Sequence, residues 1–205
     1  PLTVIDGRAQ RLMRSLNSAQ HTRELNDIRD QVQRMTRIVR QLLNYGRSSR
    51  SERRPMELGL LVQSAVGQDE QGKKRTRIVE GPRLHIRTEV SSMEQVLSNL
   101  LRNALQADPN GEICIGWDQM SPDTALVYVQ DEGPGIAPEQ RSRVLEPFVT
   151  TKTPGQGSGL GLAIVQRIVR DHGGQIRITE NPTGQGTRVE LTFPLSCKDE
   201  PTESE

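Results

Sequence analysis

The chain reads as an α+β protein, a helical hairpin followed by a mixed α/β domain, and three observations predict it. Apolar residues within 1–46 recur in alternating steps of three and four, the spacing of one helical face. At Met56 the pattern changes to short apolar strands mixed with amphipathic helices. Late in the chain a glycine cluster opens directly into a further amphipathic stretch, Ala163–Arg170. The 205 residues, a third of them apolar, can bury a core, and with aromatics at 2% that core must be aliphatic.

In the first helix Leu2, Ile5, Ala9, Leu12 and Leu16 form the stripe, and in the second Leu25, Ile28, Val32, Met35, Val39 and Leu42. This is the rhythm of helices packing at a shallow angle. Asn17–Gln20 is a plausible turn and Gly46 a C-terminal cap. Two helices cannot enclose such a stripe, so a four-helix bundle built from two copies is expected; packing of the hairpin on its own chain is the rival. Residues 47–55 (RSSRSERRP) are polar and aperiodic and read as a linker, with Pro55 barring helix continuation. The α/β domain is expected over 56–195, and the acidic stretch 196–205 as a disordered tail.

Leu58, Leu61, Val62, Ala65 and Val66 suit a helix. Arg77–Glu80 and Leu84–Val90 look like a strand pair turned at Gly81-Pro82, with His85 facing outward. The next helix opens with Ser91 and Ser92 placed for a capping box with Glu94 or Gln95. Its apolar stripe is Val96, Leu97, Leu100, Leu101, Ala104 and Leu105, and opposite lies a polar row of Gln95, Asn99, Asn103 and Gln106. A carboxamide offers a hard, neutral oxygen, so Asn103 can ligate Mg²⁺ bridging phosphates without adding charge. For two asparagines on a helix taken alone, an ordinary exposed face is the better reading.

Asp131 closes an apolar run and is followed by Gly133 and Gly135; Gly157, Gly159 and Gly161 precede the helix of Ile164, Val165, Ile168 and Val169. A glycine loop feeding a helix start presents unpaired amides and the positive dipole end to an anion. A phosphate site at Gly157–Leu162 is therefore expected, although glycines also serve tight turns. The net charge of +1 gives no nucleic-acid footprint. Cys114 and Cys197 lack metal or disulfide spacing, as expected for a reducing cytoplasm. No apolar run reaches membrane-spanning length, so no membrane contact by this segment is expected, whatever anchors a longer parent.

Four motifs in order carry a family resemblance. NLLRNALQA resembles the N box, DEGPGI the first glycine box, EPFVTTK (with Phe148) the F box and GSGLGLAI the second glycine box of bacterial two-component sensor histidine kinases. The block from Glu146 to Gly174 resembles the nitrogen-regulation type, and 1–46 their dimerisation and phosphotransfer hairpin. The wider superfamily includes gyrase, heat-shock chaperone and mismatch-repair ATPases, so the resemblance implies an α/β sandwich of that ATP-binding type. It also implies the site. Asp131 would accept a hydrogen bond from the adenine amine, Gly133 and Gly135 would admit the base, and Asn103 would hold Mg²⁺ with Asn99 beside it. Gly157, Gly159, Leu160, Gly161 and Leu162 would cradle the phosphates of ATP. Lys152 is a candidate for the terminal phosphate, with a solvated loop lysine as rival. Thr187 sits where the family often has an adenine-pocket threonine, with plain β-propensity as rival.

In hydrolytic relatives the residue at the position of Asn99 is a glutamate that activates water, so the resemblance implies transfer to a separate nucleophile. It implies ATP-dependent phosphorylation of a hairpin histidine within a homodimer, then passage to an aspartate on a response-regulator receiver domain. In the family that histidine precedes a Pro-Leu pair, here Pro1-Leu2, so the acceptor is expected just ahead of Pro1. His21 lies outside any such context, and His172 reads as a helix-end cap. A serine kinase of the anti-sigma type shares the ATP fold but lacks the hairpin; a degenerate binding module would lack intact boxes.

Overall fold

Apolar spacing and glycine placement account for most of the observed elements. The computed structural model describes residues 2–15, 21, 23, 25–32, 35, 36, 39, 52–68, 70–150 and 158–196. They fall into two units, Pro1–Ser48 and Ser49–Glu205.

In the first unit, helix α1 (Leu2–Ser15) is joined by helical residues at 21, 23, 25–32, 35, 36 and 39. Ala9, Leu25 and Val32 are buried, and Arg29 Nε meets Asp6 Oδ1 at 3.3 Å. The rest of the stripe stays open: Ile5, Leu12, Ile28, Met35 and Val39 are each 44–50% exposed. The turn expected at 17–20, Leu16, Leu42 and the cap at Gly46 lie outside the described residues. His21 is helical and exposed.

The second unit is a mixed sheet with helices on one face. Its elements are β1 (Arg54–Glu57), α2 (Leu58–Gly67), α3 (Glu70–Arg75), β2 (Thr76–Val79), β3 (His85–Thr88), α4 (Val90–Ala107), β4 (Ile113–Ser121), β5 (Thr124–Gln130), α5 (Gly161–Asp171), β6 (Gln175–Glu180) and β7 (Thr187–Pro194). The five-stranded order is β2-β4-β5-β7-β6, with β2 parallel to β4 and every other neighbour antiparallel. Register aligns Ile115, Val129, Val189 and Ile178 across four strands, and Trp117, Val127 and Leu191 beside them. This alternation puts one aliphatic face under α2, α4 and α5. The opposite face is polar, and Arg188 stacks 3.9 Å over the Tyr128 ring.

The hairpin predicted at Gly81-Pro82 is absent. β2 joins the large sheet, while β3 pairs antiparallel with β1 in a separate two-stranded sheet. Gly81 is pressed against Trp117, whose carbonyl oxygen would lie 1.8 Å from a Cβ there, and Pro82 O accepts from Trp117 Nε1 at 2.8 Å. The pair is a crossover pinned to β4. Strand β1 also recruits Arg54 and Pro55 from the stretch predicted to be linker. On an edge strand Pro55 is tolerated because its missing N–H removes no interior bond. His85 is half-buried, its Nε2 4.0 Å from Glu57 Oε2, and is not a free surface residue.

The capping box is absent as well. Glu89 is the N-cap of α4 and makes no side-chain cap bond; its carboxylate accepts from the Ser91 and Ser92 hydroxyls at 2.7 and 2.9 Å. The serines lie inside the first turn, so their hydroxyls turn back to the acid before them.

Candidate nucleotide-binding site

Helix α4 is the shared wall of the site. Met93, Val96, Leu97, Leu100, Leu101 and Ala104 are buried along its apolar face, with Leu105 half-buried. The polar row is not uniformly exposed. Asn99 is only 4% exposed, Asn103 and Gln95 are half-buried, and Gln106 is exposed. Asn99 is covered because α5 packs alongside α4, and its Oδ1 accepts from the Arg102 guanidinium. A Cβ built on Gly161, the first residue of α5, would lie 3.7 and 3.8 Å from Asn103 Nδ2 and Oδ1 and 4.0 Å from Asn99 Oδ1. The asparagines and the second glycine cluster, distant in sequence, therefore meet.

The start of α5 is left open. Its N-cap is Leu160, fully buried and unable to cap, and the first turn has no acidic residue. The first bond of the helix is Ile164 N to Leu160 O at 2.9 Å, so the amides of Gly161, Leu162 and Ala163 have no intrahelical acceptor. Such an end favours a polyanion through both amides and dipole. Gly159 turns the chain into this helix at φ +66°, and a Cβ there would lie 2.4 Å from the Phe148 carbonyl carbon. Only glycine fits such a left-handed position against backbone. Phe148, itself at φ 67° and 63% exposed, donates its amide to Gly159 O at 3.0 Å. Lys152 and Gly157 lie outside the described residues.

At the other end of α4, Asp131 follows β5 and is 7% exposed. Its Oδ1 accepts from the amides of Gly133 at 3.0 Å and Thr187 at 3.1 Å, leaving Oδ2 out of both bonds. Burial raises the carboxyl pKa above the usual range, the two amides oppose it, and the charge of Asp108 adds to it. A Cβ on Gly133 would lie 3.0 Å from Ala107 Cβ, one turn beyond Asn103 on the same helix. Gly135, at φ +80°, faces Gly186 O. One helix thus carries the asparagine pair in its middle and the acid-bearing loop at its end.

Two residues near Asp131 escaped sequence reasoning. Asn181 donates Nδ2 to Asp131 O at 2.9 Å, and Gly186 runs so close that a Cβ would lie 1.9 Å from that oxygen. In Asn181-Pro-Thr-Gly-Gln-Gly both look like turn chemistry, and only the second glycine of the pair hinted at a close approach. His172 is the C-cap residue of α5: Nδ1 lies 2.7 Å from Ile168 O and Nε2 3.1 Å from Thr88 Oγ1.

An open helix start beside carboxamides, tied through one helix to a buried acid, is a set of groups suited to a phosphorylated ligand. Residues 88–196 match the family described as "Histidine kinase-, DNA gyrase B-, and HSP90-like ATPase", which sets the class. Residues 1–51 match the "His Kinase A (phospho-acceptor) domain". The chain is 30% identical over 202 residues to the signal transduction histidine-protein kinase AtoS of Escherichia coli (strain K12), covering 96% of this chain and 33% of AtoS. It is 36% identical over 132 residues to nitrogen regulation protein NtrY of Azorhizobium caulinodans, 60% of this chain and 17% of NtrY. Full-length ShkA, crystallised with AMPPNP, shares the fold at TM-score 0.76 and 24% identity, over 96% of this chain and 43% of that one. The chain belongs to the two-component sensor histidine kinases. It spans a third or less of AtoS and NtrY. Among the described residues no helix is long and apolar enough to cross a membrane.

Proposed function

We propose that this chain is the catalytic portion of a sensor histidine kinase. It binds Mg-ATP between α4 and α5 and, within the whole protein, serves phosphorylation of a hairpin histidine for transfer to a response-regulator aspartate. The observation that carries the reading is that a Cβ on Gly161 would lie within 3.7–4.0 Å of the Asn103 and Asn99 carboxamides, beside an uncapped helix start. The donor set fits the group: three helix-start amides for phosphate oxygens, one hard neutral oxygen on Asn103 for Mg²⁺, and one carboxylate for an exocyclic amine. Asp131 selects adenine through Oδ2, because guanine presents a carbonyl at the same place. Asn103 holds the metal while Gly159, Leu160, Gly161 and Leu162 hold phosphate, with Gly157 and Lys152 as further phosphate contacts. Thr187 supports the base end by fixing Asp131 Oδ1 through its amide.

Bound ATP and Mg²⁺ supply an activated γ-phosphoryl group with its charge partly neutralised, and the protein's part is positioning. Asn99 supplies no base for water: its side chain is neutral and its oxygen is engaged by Arg102. That supports transfer over hydrolysis. The half-exposed stripe of Ile5, Leu12, Ile28, Met35 and Val39 supports a homodimer through the hairpin, where a second copy covers it.

Calorimetric titration with Mg-ATP tests the site. Asn103→Ala and Asp131→Ala should each weaken binding at least a hundredfold with an unchanged circular dichroism spectrum, about 3 kcal/mol or more apiece. Wild-type affinity in both variants removes the assignment.

A further inference from the structure

The loop between β6 and β7 holds a buried asparagine to which the nucleotide reading gives no role. Asn181 is 4% exposed, and its side chain is engaged at both polar atoms. Nδ2 donates to Asp131 O at 2.9 Å and to Gln185 O at 3.5 Å. Oδ1 accepts from the Thr183 amide at 2.9 Å and the Thr183 hydroxyl at 2.8 Å. These partners set the amide orientation, since exchanging O and N would turn an acceptor towards two carbonyls. The backbone closes the loop on the same residue: Asn181 N donates to Gly186 O at 3.3 Å, and Gly184 N donates to Asn181 O at 3.2 Å. Thr183 Oγ1 also accepts from Gln130 Nε2 at 3.3 Å, so the loop grips the two consecutive residues Gln130 and Asp131.

Asp131 needs this grip because it lies just beyond its strand. The β5–β7 ladder ends at the pair Gln130 and Arg188. The Asp131 amide still reaches Thr187 O at 2.9 Å, but on its carbonyl side β7 has given way to Gly186, close enough that a Cβ would lie 1.9 Å from that oxygen. No strand amide serves this buried carbonyl, and a buried acceptor without a donor is costly. Asn181 Nδ2 takes the place of the missing ladder donor. Held on both sides, the Asp131 backbone has one orientation, and the direction of its Cα–Cβ bond follows.

We infer that Asn181 is a positioning residue for base specificity: by fixing the Asp131 backbone it aims the carboxylate at the exocyclic amine of adenine. The inference rests on the reading of Asp131 as the adenine acceptor. Its signature is a loss confined to nucleotides that carry the amine, which a merely structural role does not produce.

The test uses the full 205-residue chain with Mg²⁺ and two ligands, ATP and purine riboside triphosphate, which lacks the amine. Asn181→Asp keeps the volume and the oxygen facing Thr183 but removes both donors. It should weaken ATP roughly tenfold and change purine riboside triphosphate by less than about twofold, so that the preference between them collapses. Thr183→Val, at an exposed loop position, removes one donor to Asn181 and the link to Gln130, and should produce a smaller loss of the same kind. If Asn181→Asp has melted at the assay temperature, Thr183→Val decides. Full retention of the wild-type preference in the folded variants, or equal weakening of both ligands, overturns the inference. Asp131→Asn separates the two claims. A lost ATP preference there, with the Asn181 and Thr183 variants unchanged, leaves the Asp131 reading standing and removes the inference alone. An unchanged preference in Asp131→Asn removes both.

Discussion

The two ends of the proposed nucleotide site are built in opposite ways. At the end proposed to take adenine, Asp131 is buried, its Oδ1 takes two amides, and Asn181 and Thr187 hold its backbone. At the phosphate end the working parts are things left out: no side chain at Gly161, no cap from Leu160, no acid in the first turn of α5. The difference follows from what each end is proposed to recognise. Choosing one base needs a single acceptor in a single direction, which means bonds on every side of it. Holding a polyphosphate needs several donors and close backbone approach, which means withholding the groups that would satisfy or obstruct them.

The largest expected effect on fold and binding together comes from adding bulk where the proposed phosphate end depends on its absence. Gly159→Ala places a Cβ at φ +66° and 2.4 Å from the Phe148 backbone. The left-handed conformation costs an alanine about 1–2 kcal/mol, and relieving the contact costs roughly 1–3 kcal/mol more. Because Phe148 N donates to Gly159 O, the relief must move the entry to α5 itself. Thermal melting should fall by several degrees and Mg-ATP affinity by more than about tenfold, read by denaturation and titration together. Unchanged melting and affinity would mean the loop absorbs the methyl without cost, and that the phosphate end is softer than its geometry implies.

At the adenine end a substitution should separate function from stability. The folded pKa of Asp131 is raised, chiefly by burial, so the protein without nucleotide bears the cost of a buried carboxylate. A raised folded pKa contributes stability that is present below the unfolded value near 3.8 and is lost as pH rises through the folded value. Asp131→Asn removes that titration. It should melt at or above the wild-type temperature at pH 7, with the gap closing towards pH 3.8, while ATP affinity falls roughly tenfold or more. Calorimetric melts across that range give the sign, and a variant less stable than wild type at pH 7 would contradict the burial cost.

This contrast also explains what could be read from the chain before its structure. Periodicity located α4 and α5, and the apolar run ending at Asp131 located β5, because each depends on local spacing. Periodicity does not tell whether the polar row holding Asn99 is exposed or covered, because it gives the direction of a side chain but not the width of the helix packed against it. Gly81-Pro82 passed for a hairpin turn because a crossover pinned by Trp117 uses the same two residues. Ser91 and Ser92 match a capping box that begins two or three residues too late, with Glu89 as the true N-cap. Asn181 was invisible for a related reason: a buried asparagine serving a distant carbonyl has the same neighbours in sequence as one that merely turns the chain.

The smallest expected effect lies at the far end of α5, where the helix is closed as firmly as its start is open. His172 is held between Ile168 O and Thr88 Oγ1, and burial chiefly lowers its pKa, with Arg53 adding to the shift and Ile168 O, Asp171 and Glu89 opposing it. A depressed folded pKa contributes stability that is present above the unfolded value near 6.5 and is lost as pH falls through the folded value. Wild-type melting temperature should therefore decline as pH drops below 6.5, and His172→Gln, which keeps an amide donor for Ile168 O and does not titrate, should decline less. Only the helix terminus is involved, so Mg-ATP affinity at pH 7.5 should differ between the two by less than about twofold. Parallel melting curves for the two proteins from pH 7.5 to 5 would show that the imidazole is as easily protonated in the folded chain as in the unfolded one. The closed end of α5 would then have no part in the acid sensitivity of the fold.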